Sequence, residues 1–360
     1  MEPERLWGGT RIGSDVMTRY VIIGAGAIGG GIGARLVQAG LPTVLVARGD
    51  HLATMQRDGL RLRTPSEDLT LPVAAVGSVR DLELTLDDVL VVSTKTQQVG
   101  DVLPDLADAD VRDEAGTVIG VAGDLLPVFV ATNGVAAEDL AARYFGRVFG
   151  VCIWMPAVHL RPGEVIIRGV PISGILHLGR VPASAADPTD RELLERVAAD
   201  LRLATFDTAL PQSVMAWKHR KLISNLGNVT DALVDDPRAV RPVITKAGAE
   251  ARTVLAAAQI EVTDDETEAA ARAQGFTVEP VPGLEDTRLG SSTWQSLSRG
   301  TGSIETDYLN GEIVRIAHSV GETAPVNALL ARLGREAIRG GHRPGWLAAD
   351  ELIRLVEALG

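Results

Sequence analysis

The stretch "RYVIIGAGAIGGGIGARLVQAG", Arg19 to Gly40, constrains this chain more than any other. Four apolar or aromatic residues lead into a cluster of glycines, and an amphipathic, alanine-bearing run follows. Gly24, Gly26 and Gly29 fit the spacing G-x-G-x-x-G at a strand-to-helix corner. At such a corner the first glycine permits a tight turn and the second lets an anion approach bare backbone. The third lets helix and strand pack closely. Exposed N–H groups and the helix dipole then stabilise a pyrophosphate. Gly24, Ala25, Gly26, Ala27, Ile28 and Gly29 are therefore the expected cradle of a dinucleotide.

The next strand suggests which dinucleotide. An NAD site usually carries a carboxylate about 20 positions after the glycines, bonded to the ribose 2′-hydroxyl. Here the strand ends "VLVAR" and places Arg48 near that point. A guanidinium suits a 2′-phosphate, so NADP(H) is the expected cofactor. Asp50 could serve NAD if the loop folded back, but it reads better as the cap of "DHLATMQRDG".

Composition narrows the function classes. With 360 residues, 46% hydrophobic and 23% charged, the chain has ample core for two domains. A net charge of −12 argues against nucleic acid or an anionic membrane as a partner. Cys152 is the single cysteine, which excludes an internal disulfide and a cysteine zinc cage, and the six histidines show no ligand spacing. No metal is expected. No apolar run approaches the roughly 18 residues needed to span a bilayer, and the first residues lack the apolar centre of a signal peptide. A cytoplasmic location is the expectation, with residues 1–18 reading as a disordered extension.

Strands are predicted at 19–24, 43–48, 60–64, 69–75, 88–94 and 127–132, and helices at 28–39, 50–58, 97–106 and 135–145. The alternation implies a mostly parallel sheet covered on both faces, its polar strand ends opening onto a ligand crevice. Runs at 147–154 and 164–168 read as a hairpin joined through "RPG", 179–190 as a surface loop and 191–201 as a helix. Beyond about residue 209 helical patterns dominate, broken by a less regular stretch near 275–290. The expected domains are 19–208, binding the dinucleotide, and 209–360, helical and carrying substrate.

Two segments of the second half read as chemistry. In "WKHRKLISNLGNVTDAL", 217–233, Leu222, Ile223, Leu226 and Val229 share one face of a continuous helix, while Lys221, Asn225 and Asn228 cluster on another. Asparagines, Ser224 and mid-helix Gly227 are weak helix formers, which suggests a polar stripe facing a cleft. In "TGSIETDYLNGEIVRIAHSVG", 301–321, a single helix would put Glu305 on the apolar side, where a carboxylate needs a partner such as Lys221. Glu312 projects the same way, so geometry alone leaves both open.

These motifs, taken in order, resemble the ketopantoate reductase (2-dehydropantoate 2-reductase) family over about residues 19–336. They are "GAGAIGG", "ARGDHLATMQRDGL", "STKTQQV", "TNGV", "KLISNLGN", "SSTWQ", "IETDYLNG" and "ETAPVN". The resemblance implies an α/β Rossmann dinucleotide-binding domain followed by an all-α domain like that of 6-phosphogluconate dehydrogenase. It implies NADPH-dependent reduction of a small 2-oxo acid, with ketopantoate the best named candidate. Arg48 and Lys95 would hold the adenosine phosphate end and Gln98 would lie beside the cofactor. Asn133 would lie near the nicotinamide, Lys221 would be the catalytic proton donor, Asn225 would assist one turn later, and Glu305 would orient the lysine. Ser292 and Asn228 would contact substrate. Helical second domains of this kind often pair, so a homodimer is the compatible assembly. Leu289 departs from the pattern, standing where members reducing ketopantoate often carry an asparagine.

Overall fold

A computed structural model describes residues 17–273, 275–285, 287–300 and 302–359. The expected N-terminal extension lies, up to residue 16, outside the described residues. In chain order the first half comprises β1 (Arg19–Ile23), α1 (Ala27–Gln38), β2 (Thr43–Val46), α2 (Gly49–Asp58), β3 (Leu60–Arg63), β4 (Asp68–Leu71), β5 (Ala74–Val76), β6 (Asp88–Val92) and α3 (Thr96–Ala107). A small hairpin of β7 (Asp110–Arg112) and β8 (Val118–Val121) and a short α4 (Ala122–Leu125) precede β9 (Val128–Val130), α5 (Ala137–Ala141) and β10 (Val148–Trp154). Then come β11 (Ala157–Val158), β12 (Glu164–Ile167), β13 (Gly169–Val170), β14 (Gly174–Val181), α6 (Pro188–Leu203) and β15 (Phe206–Ala209).

The continuously apolar runs become the buried strands of an eight-stranded sheet, ordered β15-β14-β10-β9-β6-β1-β2-β5. The six from β10 to β5 run parallel, and β14 and β15 run opposite to them. Strands buried on both faces need a hydrophobic core on each side. Tyr20, Ile22, Phe129 and Phe149 point into one core, and Val21, Ile23, Leu90 and Val92 into the other.

The second half is helical: α7 (Val214–Asn225), α8 (Asn228–Leu233), α9 (Arg241–Ala257), α10 (Asp265–Ala273), α11 (Ser292–Ser298), α12 (Asn310–Ser319), α13 (Pro325–Arg339) and α14 (Ala349–Glu357). One short strand, β16 (Thr277–Val278), returns to pair with β13. Helix α7 packs on β10 and β14. Gly179 makes that approach possible, since a Cβ there would come within 2.9 Å of the Val214 Cβ.

Several expectations are corrected. The run 69–75 splits, β4 joining a second sheet (β11-β12-β3-β4) and β5 the main one. The segments 147–154 and 164–168 do not pair. Each residue of β10 is buried, and β10 sits between β9 and β14, whereas β12 pairs with β11 and β3. The "RPG" turn closes that smaller hairpin instead. The expected loop 179–190 starts inside β14, where Gly174 and Gly179 blurred the apolar pattern. The expected helix 135–145 is regular only over Ala137–Ala141. Asp50 is the second residue of α2, whose cap is Arg48, and no side-chain capping bond forms there.

At the glycine corner, a Cβ on Gly29 would overlap the Ser93 hydroxyl and the Gly24 carbonyl, while one on Gly26 meets nothing within 4 Å. Gly29→Ala should therefore lower the urea midpoint by the equivalent of about 1–3 kcal/mol. Gly26→Ala should cost much less, and equal losses would contradict this packing.

Candidate active site

Gly24 turns the chain with φ +99°, a conformation that a side chain disfavours. A Cβ there would also lie 2.8 Å from the Thr94 amide. The open side of Gly26, at the start of α1, leaves backbone bare toward the crevice, as close approach of a pyrophosphate requires. The three glycines thus divide into turn, approach and packing. Arg48 follows β2 and is exposed, and its guanidinium makes no hydrogen bond or ion pair with a described residue. It is free to meet an anion there.

Sequence reasoning missed His51. Its Nδ1 accepts from the Gly163 N–H at 2.8 Å, so its Nε2 carries the proton and donates to the Ala25 carbonyl at 2.8 Å. The glycine turn is thereby tied to the hairpin β11–β12. Burial pushes the imidazole down from its usual range, which keeps this neutral form. The only hint was a histidine two residues into the helix after Arg48.

Across β1 from Arg48, the β6–α3 junction faces the helical half. Lys95 caps α3 and donates to the Ser303 carbonyl at 2.8 Å, while the Gln98 side chain is exposed one turn on. Burial lowers the Lys95 ammonium, and Glu305 opposes that shift.

The site converges on Asn133, just after β9. Its Oδ1 accepts from Lys221 Nζ at 2.9 Å and, at the outer limit of 3.5 Å, from Asn225 Nδ2. Its backbone carbonyl accepts from the Thr96 hydroxyl at 3.0 Å. Thr96 also serves Glu305, whose Oε1 receives the Thr96 N–H at 3.1 Å and lies 3.0 Å from its hydroxyl. Lys221 and Glu305 therefore make no direct ion pair. They are bridged through Asn133 and Thr96, the latter buried and overlooked inside "STKTQQV".

Local folding differs from the two expected continuous helices, and it places the site. The chain breaks at Leu226–Gly227, so α7 carries Lys221 and Asn225 while Asn228 opens α8. A Cβ on Gly227 would press on Ile244 of α9 at 3.2 Å, which accounts for a glycine at this bend. The 302–321 segment forms one tight turn over Thr306–Tyr308 before α12 begins at Asn310. Glu305 lies ahead of both and faces α3. Glu312 is instead taken by Arg315 at 2.6 Å, which removes the ambiguity between the two glutamates. The Ser291 hydroxyl donates to the Asn228 carbonyl at 2.9 Å, bringing Asn228 and Ser292 to one corner. Leu289 joins an apolar cluster with Val158, Ile166 and Val281.

Burial pushes the Lys221 ammonium down to about 8. Glu305 opposes the shift, and Lys218 and Arg272 reinforce it. A lysine that titrates there can give up a proton near neutral pH.

Comparison with known proteins gives the family. Residues 20–183 match the family model "Ketopantoate reductase PanE/ApbA", and residues 213–337 match its C-terminal counterpart. The chain belongs to the ketopantoate reductase family. It is an oxidoreductase of the class that acts on CH–OH groups. A 2-dehydropantoate 2-reductase of Pyrococcus horikoshii is 27% identical over 334 residues, covering 90% of this chain and 100% of the relative. The crystal structure of a PanE/ApbA family ketopantoate reductase from Ralstonia eutropha superposes with TM-score 0.69 at 25% identity, covering 89% of this chain and 99% of that one. A D-mandelate dehydrogenase bound to NADH and anilino(oxo)acetate has the same TM-score at 19% identity, covering 89% and 99%. It shares the fold.

Within the family frame, the Rossmann-type sheet and the helical half meet at Asn133. With [13C]methylated lysines, the Lys221 resonance should titrate near pH 8 by NMR. Because Glu305 favours the charged amine, Glu305→Gln should move that titration lower. A midpoint near the ordinary lysine value of about 10.4 would contradict the burial of the amine.

Proposed function

We propose that this ketopantoate reductase family member reduces a small 2-oxo acid with NADPH, ketopantoate being the first candidate. The observation that carries the reading is the convergence of Lys221, Asn225 and Glu305 on the Asn133–Thr96 corner, at the strand ends beside the glycine turn. The bare Gly26 face and the unpaired Arg48 guanidinium fit a dinucleotide bearing a 2′-phosphate. When bound, the nicotinamide supplies the hydride.

The remaining steps fall to this chain's side chains. Hydride addition to a ketone carbon turns the carbonyl oxygen into an alkoxide, which must gain one proton. The ammonium of Lys221 has three N–H groups, and Asn133 takes one. A second is available to hydrogen-bond the carbonyl, stabilise its developing charge and pass over as a proton. Asn133 and Asn225 orient the amine, and Glu305 favours its charged form. Ser292 and Asn228 supply polar groups for the substrate's carboxylate end. The amine, left neutral, regains its proton from water.

The test follows NADPH oxidation by absorbance with ketopantoate and a panel of aliphatic and aromatic 2-oxo acids. Turnover with at least one is expected, and tight NADPH binding without any turnover would sink the assignment. Lys221→Ala should lower kcat by about 10²–10⁴ while leaving NADPH affinity nearly unchanged. Because the donor must be protonated, kcat/KM for reduction should be level below about pH 8 and fall tenfold per unit above it. A rate rising through that range would assign the proton elsewhere. Arg48→Ala should weaken NADPH by roughly ten- to a hundredfold and NADH much less. Equal losses would overturn the cofactor assignment.

A further inference from the structure

The chain contains 35 lysines and arginines, of which only four are lysines. Three of the four, Lys95, Lys218 and Lys221, lie where the sheet meets the helices. The proposed reaction uses Lys221, and nothing above accounts for Lys218. It is 3% exposed and forms an ion pair with Glu138 of α5, which is fully buried. Its Nζ also donates to the Thr132 carbonyl at 3.2 Å. Thr132 immediately precedes Asn133. Residues 218 and 221 are three apart on α7 and share a face. The helix therefore grips two consecutive residues of the loop after β9: Lys218 holds the backbone at 132, and Lys221 meets the side chain at 133.

We infer that Glu138 and Lys218 form a positioning pair for the proton donor, fixing the Thr132–Asn133 corner against α7 so that the Asn133 amide oxygen meets the Lys221 amine. The inference rests on the reading of Lys221 as donor. Stability is a weak reason for such a pair. A buried ion pair recovers its desolvation cost only when its remaining groups are hydrogen-bonded, and Glu138 Oε2 is buried without a partner. Apolar side chains of similar volume would pack at least as well. They would leave the Thr132 carbonyl without its donor and the loop without a fixed register. The charges facing the two amines are Glu138 from α5, Glu305 ahead of α12 and Arg272 from α10, with Cys152 on β10. Among these, Lys218 disfavours the charged form of Lys221.

The decisive variant is full-length Glu138→Leu/Lys218→Met, which removes both charges and keeps the volume. Its melting temperature should be unchanged or higher and its NADPH affinity within about twofold. Its kcat should fall by about ten- to a hundredfold, as misplacement of a reacting group does. In Lys218→Gln, which removes the like charge and keeps Glu138, the Lys221 NMR titration, assigned by its absence in Lys221→Arg, should move to higher pH. Lys218→Arg, which keeps the charge, should lose several-fold less activity. Wild-type kcat in the folded double variant would overturn the inference, as would an unmoved titration in Lys218→Gln. Should the double variant not fold, Lys218→Gln read by the same titration decides, an unmoved midpoint again overturning it. If the wild type reduces no 2-oxo acid, the assigned reaction fails, whereas the titration still decides whether Lys218 acts on Lys221.

Discussion

One amide oxygen holds this site together. Asn133 Oδ1 receives the Lys221 amine from the helical half, while the backbone of the same residue is tied through Thr96 to Glu305. Asn133 belongs to the sheet, and Lys221 and Glu305 to the helices and their connections. The hydrogen bonds that orient the proposed proton donor are therefore among the bonds that join the two halves. Gly134 allows the close approach: its φ is +77°, and a Cβ there would press on the Tyr308 carbonyl at 2.8 Å. A bulkier residue after Asn133 would push the 305–308 segment away and carry Glu305 with it.

The parallel core of the fold was legible because its physics is local. Buried parallel strands read as continuous apolar runs, and β1, β2, β6 and β9 announce themselves that way. The glycine corner was legible for the complementary reason, since close packing and close approach forbid side chains at fixed spacings. Where the reading failed, long-range contacts had decided the outcome. β14 carries Gly174 and Gly179 because the end of β10 and α7 press on them, and no pattern within residues 174–181 records those neighbours. The bend at Gly227 likewise answers to Ile244 on α9, a residue 17 positions away.

The site shows the same division. Lys221, Asn225 and Glu305 were visible as polar residues in segments whose propensity or apolar face made them costly, Asn133 only as a strand-end residue, and family motifs then assigned all four their roles. Their mutual arrangement was not visible. A direct lysine–glutamate pair is the simplest solution to two half-buried opposite charges. The fold instead interposes Asn133 and Thr96, residues that look like ordinary strand-end and helix-start polar groups. His51 escaped for a related reason: its value lies in bridging Ala25 to Gly163, 112 residues further along the chain than itself.

Interposing neutral groups has a chemical consequence for a proton donor. A lysine in a tight ion pair has its charged form favoured, which makes it reluctant to release a proton at neutral pH. Burial alone would drive the amine to neutrality and leave nothing to donate. Keeping Glu305 near but not in contact, with Lys218 adding repulsion from below, lets burial dominate without overwhelming the charge, and Lys221 comes to rest at about 8. The acidic surface, at net −12, does not set this balance, since exposed charges beyond about 10 Å are screened by salt. A handful of groups where the sheet meets the helices sets it instead.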